Sequence, residues 1–462
     1  MSEAKHKPSS AVIVGLGRTG FSCAAYLLER GWRIAVTDTR EKPPELQRMR
    51  QAYPDIPVRV GGLDTRLLDD AICVVASPGI SLAEPFFAEA RRRGLEIVGD
   101  IELFARAVDA PVVGITGTNG KSTVTTLLGR MAERAGIKVR VGGNLGEPAL
   151  DLLRAAATDQ TPTELYVLEL SSFQLEATDS LDLRAAAVLN VSPDHLDRYA
   201  SVEDYAAAKA RIFARCDTAV INLDDPLVVA MPGPGQRTLS FSLRASIGAD
   251  YSVMESAGQV SGAGANRNDW WLARHGQPLL RVADMKIKGL HNAANALAAL
   301  ALGEALGFPL AAMLAELTEF SGLPHRSQWV ADVKGVTYIN DSKGTNVGAT
   351  LAAVAGMPGP LVMIAGGDGK QQDFSPLREA FKDKVRHVVL IGRDAQAIAK
   401  ALDGACSTEM SDSLENAVRA AAKAAQPGDV VLLSPACASL DMFRDYTHRG
   451  AVFSQAVKEL AA

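Results

Sequence analysis

The segment that most constrains this chain runs from Pro111-Val112-Val113-Gly114-Ile115 through Thr116-Gly117-Thr118-Asn119-Gly120-Lys121-Ser122-Thr123 into a helical pattern with apolar Val124, Leu127, Leu128 and Met131. A β-branched run, a glycine-rich loop and an amphipathic helix in that order predict a phosphate-binding loop, which needs a parallel sheet to hold it. The backbone amides of Gly117, Thr118, Asn119, Gly120 and Thr123 are expected to cradle nucleotide phosphates. Lys121 should reach the terminal phosphates, and Ser122 should offer its hydroxyl to magnesium. The strict GxxxxGK[ST] spacing fails at Ile115, where glycine would stand.

Short β-branched runs alternate with amphipathic stretches along most of the 462 residues, the pattern of parallel sheets covered by helices on both faces. The pattern restarts twice, so the fold class expected is α/β with three domains, at residues 1–100, 101–322 and 323–462. Strands are predicted at Ala11–Val14, Ile34–Val36 and Cys73–Val75, then at Val112–Ile115, Leu165–Leu168, Ala187–Leu189 and Ala219–Ile221. Further strands are predicted at Val336–Ile339, Leu361–Ile364, Val388–Ile391 and Val430–Leu433, with alanine-rich helices at His291–Leu306 and Leu310–Phe320. The Gly-, Ala- and Ser-rich stretch Pro232–Asn268 shows only short alternating pieces.

With 47% hydrophobic residues, 22% charged residues and a net charge of -5, the composition excludes a disordered or nucleic-acid-coating chain, so any anion must be held by local positive sites. The five cysteines are scattered without metal-ligand spacing and read as structural thiols of a reducing compartment. No apolar leader and no apolar run of about 18 residues occurs, so a cytoplasmic protein that does not enter a membrane is expected. Short connections between the domains make a monomer the expected state.

A second glycine-rich turn, Gly15-Leu16-Gly17-Arg18-Thr19-Gly20, follows the first strand, and Asp38 ends the next one 18 residues after Gly20. Taken alone this pattern fits an NAD site, with the carboxylate accepting from ribose hydroxyls. Asp38-Thr39-Arg40 adds a cation that fits a sugar nucleotide equally well.

Magnesium ligands should lie at the ends of strands beside the phosphate loop. Glu169 follows Leu165–Leu168, and His195 lies in Asn190-Val191-Ser192-Pro193-Asp194-His195-Leu196-Asp197, where Asp194 and Asp197 compete with it. The next helix is expected to start at Ser201, with Asp204 reaching back to its amide. On it Tyr205, Lys209, Ile212 and Phe213 share an inward face. Lys209 reads either as a snorkelling lysine or as one that reacts with carbon dioxide to give a carbamate for a metal site.

The last third holds charged clusters at predicted strand ends: Gly322-Leu323-Pro324-His325-Arg326, Asn340-Asp341-Ser342-Lys343-Gly344-Thr345-Asn346 and Gly366-Gly367-Asp368-Gly369-Lys370. Doubly wound sheets bind ligands there. Arg326 is placed to bridge to phosphates, and Lys343 and Lys370 to hold a carboxylate or developing phosphate. Ser434–Phe443 is expected to leave a strand and open a helix.

Together these residues resemble the Mur ligase family over essentially the whole chain. The Thr116–Ser122 loop marks the family; Asp38-Thr39-Arg40, Ser77-Pro78-Gly79, Gly99–Phe104, Gly366–Lys370 and Ser434–Phe443 point to its members that add D-glutamate to UDP-N-acetylmuramoyl-L-alanine. The resemblance implies ATP and magnesium as cofactors and successive domains for the UDP-sugar, ATP and the amino acid. It implies contacts to the UDP-sugar from Arg18, Thr19, Asp38, Thr39, Arg40, Ser77, Gly79 and Asn144. Magnesium ligation by Ser122, Glu169, His195 and carbamylated Lys209 is implied too. Asn292 and Asn295 would meet adenine, Arg326 the ATP phosphates and Asp341 the ribose. The amino acid would meet His325, Thr345, Lys370, Ser439, Leu440 and Tyr446, and Lys121, Lys209, His195 and Lys343 would carry the catalysis. Sister ligases for L-glutamate or another amino acid are the near alternative, and an NAD-dependent oxidoreductase the remote one. Arg18 and Tyr446 depart from the family pattern, which has an apolar residue and a phenylalanine there.

Overall fold

A computed structural model describes residues 9–461 except 197, 245–247, 256–269, 288 and 358. Three largely parallel sheets flanked by helices give a three-domain α/β architecture. The first is built from β1 (Ser10–Val14), β2 (Arg33–Asp38), β3 (Val58–Val60), β4 (Cys73–Ala76) and β5 (Glu96–Val98), all parallel, in the order β3-β2-β1-β4-β5. Every residue of β1 and β4 is buried, which is why both read as continuous apolar runs rather than alternating ones.

The chain gathers into two compact units, one comprising the residues up to Val191 with His195–Ser240 and Ala298–Met313, the other the remainder. In the first unit a second sheet follows, from β6 (Val112–Thr116), β7 (Val139–Gly143), β8 (Leu165–Glu169), β9 (Ala185–Val188), β10 (Thr218–Asn222) and β11 (Arg237–Ser242), ordered β11-β10-β9-β6-β8-β7. The helix Asp100–Ala105 ties the two sheets of this unit: Gln174 Nε2 donates to Asp100 Oδ2 at 2.9 Å, and Glu102 accepts from the Asp179 and Ser180 amides at 2.8 and 2.9 Å. The apolar core is continuous from Ile13 and Phe21 through Phe104 to Tyr166 and Leu168.

In the second unit Phe241 and Ser242 pair with β12 (Tyr251–Glu255), which is followed by an antiparallel hairpin of β13 (Trp270–Arg274) and β14 (Gln277–Arg281). The sequence pattern showed neither hairpin strand. A third sheet comprises β15 (Gln328–Val333), β16 (Val336–Asn340), β17 (Leu361–Gly366), β18 (Val385–Ile391), β19 (Ser407–Met410) and β20 (Val430–Leu433), ordered β15-β16-β20-β17-β18-β19 with only β15 antiparallel. Its two faces pack separate cores, one around Met363 and Phe381 and the other around Phe453 and Leu433. The alanine-rich helices form at Leu290–Ala305 and Leu310–Glu319.

Ser434–Phe443 leaves β20 as expected, but the helix it was expected to open begins only at Tyr446. The carbonyls of Cys437 and Ala438, which a helix would use internally, instead accept from the buried Arg449 guanidinium at 3.1 and 3.3 Å. The Ala438 amide donates to the Asp368 carbonyl. Ser201 does cap its helix, accepting from the Asp204 amide at 3.1 Å, but the Asp204 carboxylate takes the Ser201 hydroxyl rather than its amide. Asp197 lies outside the described residues. All five cysteines are free thiols, and burial pushes those of Cys73, Cys216 and Cys437 up to about 12, which leaves them unreactive. No helix of the described residues is long and apolar enough to cross a membrane.

Candidate functional site

The first glycine-rich turn opens onto a cleft of about 440 Å³ in the first unit. One wall carries Gly15, Gly17, Arg18, Thr19, Thr39, Arg40, Ser77 and Gly79; the other carries Gly143, Asn144, Gly146 and Gln174. The helix after the turn approaches so closely that a Cβ on Gly20 would sit 1.9 Å from the Gly15 carbonyl oxygen. Asp38 lies behind the wall, fully buried. Its Oδ2 accepts from the Leu16 amide at 2.7 Å, and its Oδ1 from the Arg40 amide at 2.8 Å and Arg40 Nε at 2.9 Å. Burial alone would raise the Asp38 carboxyl, but these donors outweigh it and hold it below the usual carboxylate range. With its oxygens engaged by the turn, Asp38 is poorly disposed to accept from the ribose of a dinucleotide. Ser77 donates to the Gly15 carbonyl at 2.9 Å and closes the turn from the other side.

The phosphate loop follows β6. Gly120, at φ 85°, starts the helix Lys121–Arg134 in a backbone conformation that favours glycine. Asn190, at the end of β9, templates the loop: the Thr118 amide donates to its carbonyl at 2.9 Å and the Asn119 amide to its side-chain oxygen at 2.8 Å. These two amides therefore turn toward Asn190, contrary to the expectation that the whole loop faces phosphate. The Ser122 hydroxyl donates to Glu169 Oε2 at 2.5 Å, and Asn144 Nδ2 donates to Glu169 Oε1 at 2.7 Å, which links the loop to the cleft wall.

Lys121 Nζ donates to the Gly117 and Thr118 carbonyls at 2.8 Å each, and Lys209 Nζ reaches the same Gly117 carbonyl at 3.0 Å. The Gly117 carbonyl thus accepts from two ammonium groups at once, which sets both lysines against the phosphate loop. Lys209 is 1% exposed and lies over the Tyr205 ring, 4.2 Å from its centroid. His195 packs edge-on to the same ring and to Phe173, with centroids 6.0 and 4.9 Å away. The structure thus brings Lys121, Ser122, Glu169, Asn144 and Lys209 together, with His195 beside Lys209 across Tyr205. Among the described residues no three His, Cys, Asp or Glu side chains converge as a metal cage.

In the second unit the expected clusters line the carboxyl edge of the third sheet. Asp341 accepts from the Ser327 amide at 3.0 Å and the Ser434 hydroxyl at 2.8 Å, yet burial raises its carboxyl to about 6. Arg326 is close enough to oppose that rise. Lys343 Nζ lies 4.0 Å over the Tyr446 ring, and His325 packs edge-on to that ring. Burial lowers the His325 pKa. Thr345 precedes Asn346, which caps the helix Val347–Gly356. Lys370 sits at φ 49° in a loop whose Asp368 amide bonds the Ala438 carbonyl at 3.0 Å, beside buried Ser439 and exposed Leu440. Asn292 and Asn295 are buried on their helix and joined at 3.2 Å. Asn346 Nδ2 donates to Asp194 Oδ2 at 3.3 Å.

Sequence reasoning missed Asn190 as the loop's template, Gln174 in the cleft, and Arg449. Arg449 is fully buried, donates to the Ser342 carbonyl at 2.7 Å and to its hydroxyl at 3.0 Å, and is lowered to about 10 by burial. Arg449 looked like one more basic residue on an amphipathic helix, and nothing local marks it.

Residues 9–99 match the Mur ligase MurD-like N-terminal domain, 115–303 the Mur ligase middle domain and 325–437 the Mur ligase glutamate ligase domain. The chain belongs to the Mur ligase family. It is 50% identical over 454 residues to the UDP-N-acetylmuramoylalanine--D-glutamate ligase of Nitrosococcus oceani, covering 98% of this chain and 97% of that protein. It is 51% identical to the protein of the same name from Pseudomonas aeruginosa, covering 97% and 98%. The fold also matches UDP-N-acetylmuramate-alanine ligase MurC from Thermotoga maritima, with TM-score 0.59 at 18% identity over 97% of this chain and 99% of that one. MurF from Acinetobacter baumannii matches with TM-score 0.57 at 16% identity over 99% and 93%.

Proposed function

We propose that this chain is the ATP-dependent ligase that joins D-glutamate to UDP-N-acetylmuramoyl-L-alanine in peptidoglycan precursor synthesis. The observation that carries the reading is the phosphate loop bonded through Ser122 to Glu169 and through Glu169 to Asn144 of a nucleotide-sized cleft, in a chain about half identical over its length to ligases of that name. On this reading residues 1–100 bind the UDP-sugar, 101–322 bind ATP and 323–462 bind the amino acid. The protein works as a cytoplasmic monomer.

An amide does not form usefully from a carboxylate and an amine in water, so the alanyl carboxylate oxygen first attacks the γ-phosphorus of ATP, ADP leaves and an acyl phosphate forms. Lys121 offsets charge on the phosphoryl oxygens, and Lys343 does the same from the third sheet's edge. The neutral glutamate amine then attacks the carbonyl carbon, and the tetrahedral intermediate loses the amine proton and expels inorganic phosphate to leave the amide. Thr345 and Lys370 hold the α-carboxylate; Ser439, Leu440, Tyr446 and His325 line the side-chain site. Asn292 and Asn295 meet adenine, Asp341 the ribose and Arg326 the phosphates.

The donors beside the loop suit a hard divalent cation: the Ser122 hydroxyl, the Glu169 carboxylate and, with His195, a carboxylate made on Lys209 by carbon dioxide. Magnesium bound there would neutralise phosphate charge. Lys209 is buried beside a second ammonium group, which favours its conversion to an anion.

Phosphate release with ATP, magnesium and UDP-N-acetylmuramoyl-L-alanine tests the reading. Turnover with D-glutamate and not with L-glutamate or other amino acids is expected. Turnover only with a different amino acid would overturn the specificity, and no turnover with any would overturn the reaction.

A further inference from the structure

Asp100 is a buried carboxylate that the chemistry above does not use. It is 2% exposed, opens the helix Asp100–Ala105, and has one hydrogen-bonding side-chain neighbour: Gln174 Nε2, at 2.9 Å from Oδ2. Its Oδ1 is sealed from solvent and makes no well-formed hydrogen bond among the described residues, although the Asp100 and Ile101 amides at the helix start lie near enough to favour the ionised carboxylate. The first turn of a helix favours a carboxylate, yet burying one with an oxygen this poorly served still costs free energy, and burial is the largest influence on this carboxyl.

Gln174 explains what the cost maintains. Its side-chain oxygen accepts from the Ser171 amide at 3.1 Å, which completes a capping box and fixes which end of the carboxamide faces the helix start. Its nitrogen carries two hydrogens, and Asp100 takes one. Gln174 also lines the nucleotide-sugar cleft, on the wall opposite Arg18 and Arg40. With the oxygen pinned by Ser171 and one N–H pinned by Asp100, the carboxamide cannot flip, and its remaining N–H is left as a fixed donor.

We infer that Asp100 is a positioning residue for the nucleotide-sugar cleft: it orients the Gln174 carboxamide so that an N–H meets an oxygen acceptor of the bound acyl sugar nucleotide. The inference rests on the proposed substrate. Burial raises the Asp100 carboxyl to about 6, and both its ionised and its neutral form keep an oxygen to accept from Gln174. Cys23 on the helix Arg18–Glu29 and Asp151 on the helix Ala149–Thr158 lie in the same neighbourhood, and burial with both acids keeps the Cys23 thiol protonated. Neither donates to Asp100 Oδ1, and Gln174 remains the side chain bonded to Oδ2.

The test compares Asp100→Ala, Asp100→Asn and Gln174→Ala in the full chain, reading KM for UDP-N-acetylmuramoyl-L-alanine, KM for ATP and kcat, with thermal melting as the check of folding. Asp100→Ala should raise KM for the nucleotide sugar roughly tenfold, the value of one fixed hydrogen bond, with KM for ATP within about twofold. Asp100→Asn keeps an acceptor oxygen and should rescue KM to within about threefold of the parent. The Asp100→Ala and Gln174→Ala effects should not add in the double variant. Unchanged KM in folded Asp100→Ala, a uniform loss across both substrates, or full additivity would overturn the inference. An inactive parent protein would instead overturn the proposed reaction, and isothermal titration of the parent and the three variants with the nucleotide sugar would still read the positioning effect as a Kd.

Discussion

The two glycine-rich turns of the first unit sit at equivalent places, each between a buried parallel strand and the helix that follows, yet they are held in opposite ways. Gly15–Gly20 is braced from far along the chain, by Asp38 on the Leu16 amide and by Ser77 on the Gly15 carbonyl. It opens onto a cleft, with Arg18 and Arg40 on the wall rather than on the turn's own carbonyls. Gly117–Gly120 is braced by Asn190, which takes the Thr118 and Asn119 amides, and it gathers cations, with Lys121 and Lys209 on one carbonyl. A turn whose carboxylate is engaged internally recognises by shape and by its amides, whereas one that collects ammonium groups handles transferring charge.

The largest effect should come from the charged turn. Lys121→Ala is expected to lower kcat on the order of 10³-fold while leaving binding of the nucleotide sugar intact, measured by phosphate release and titration calorimetry. Comparable losses in both would erase the distinction between the turns. The shape-based turn should fail sterically instead. Gly20→Ala forces a methyl against the Gly15 carbonyl and should cost about 3 kcal/mol, seen as a fall in the denaturant midpoint together with weakened nucleotide-sugar binding.

Stability against pH sharpens the comparison through three acids around the first sheet. Asp38 and Glu102 are held low, Glu102 at about 2 because donated hydrogen bonds outweigh burial, so their contribution is present above the unfolded carboxylate range and is lost as pH falls through their folded values. Asp100 is raised to about 6, so the folded state binds its proton first. Its penalty is absent below about pH 4 and complete above about pH 6. Asp100→Asn should therefore raise stability at pH 7.5 by up to about 2 kcal/mol and leave it nearly unchanged at pH 4, followed by urea unfolding at both values. The smallest effect expected is for Ser77→Ala, about 1 kcal/mol from the lost bond to Gly15, with KM for ATP unchanged.

The strands of the parallel sheets were legible because burial on both faces demands runs such as Ala11–Val14 and Leu361–Ile364, and such runs need no distant partner to be recognised. The β13–β14 hairpin was not legible, since Trp270–Arg281 mixes apolar and polar residues without a clear period. The segment Ser434–Phe443 misled for a different reason. Its composition permits a helix start, but Arg449 takes the Cys437 and Ala438 carbonyls and Asp368 bridges to Ala438, so the helix begins only at Tyr446.

The sequence by itself determined the three-fold repetition of strand and helix, the phosphate loop and the charged clusters at strand ends, because each is a property of residues close together in the chain. Only the tertiary structure decided where the carboxylates and amides point. It turned Asp38 inward onto its own loop, gave Asn190 to the phosphate loop, placed two lysines on one carbonyl and set Asp100 behind Gln174. Such pairings depend on residues separated by dozens of positions meeting in a buried place where an unpaired polar group is costly, and no local pattern encodes that meeting.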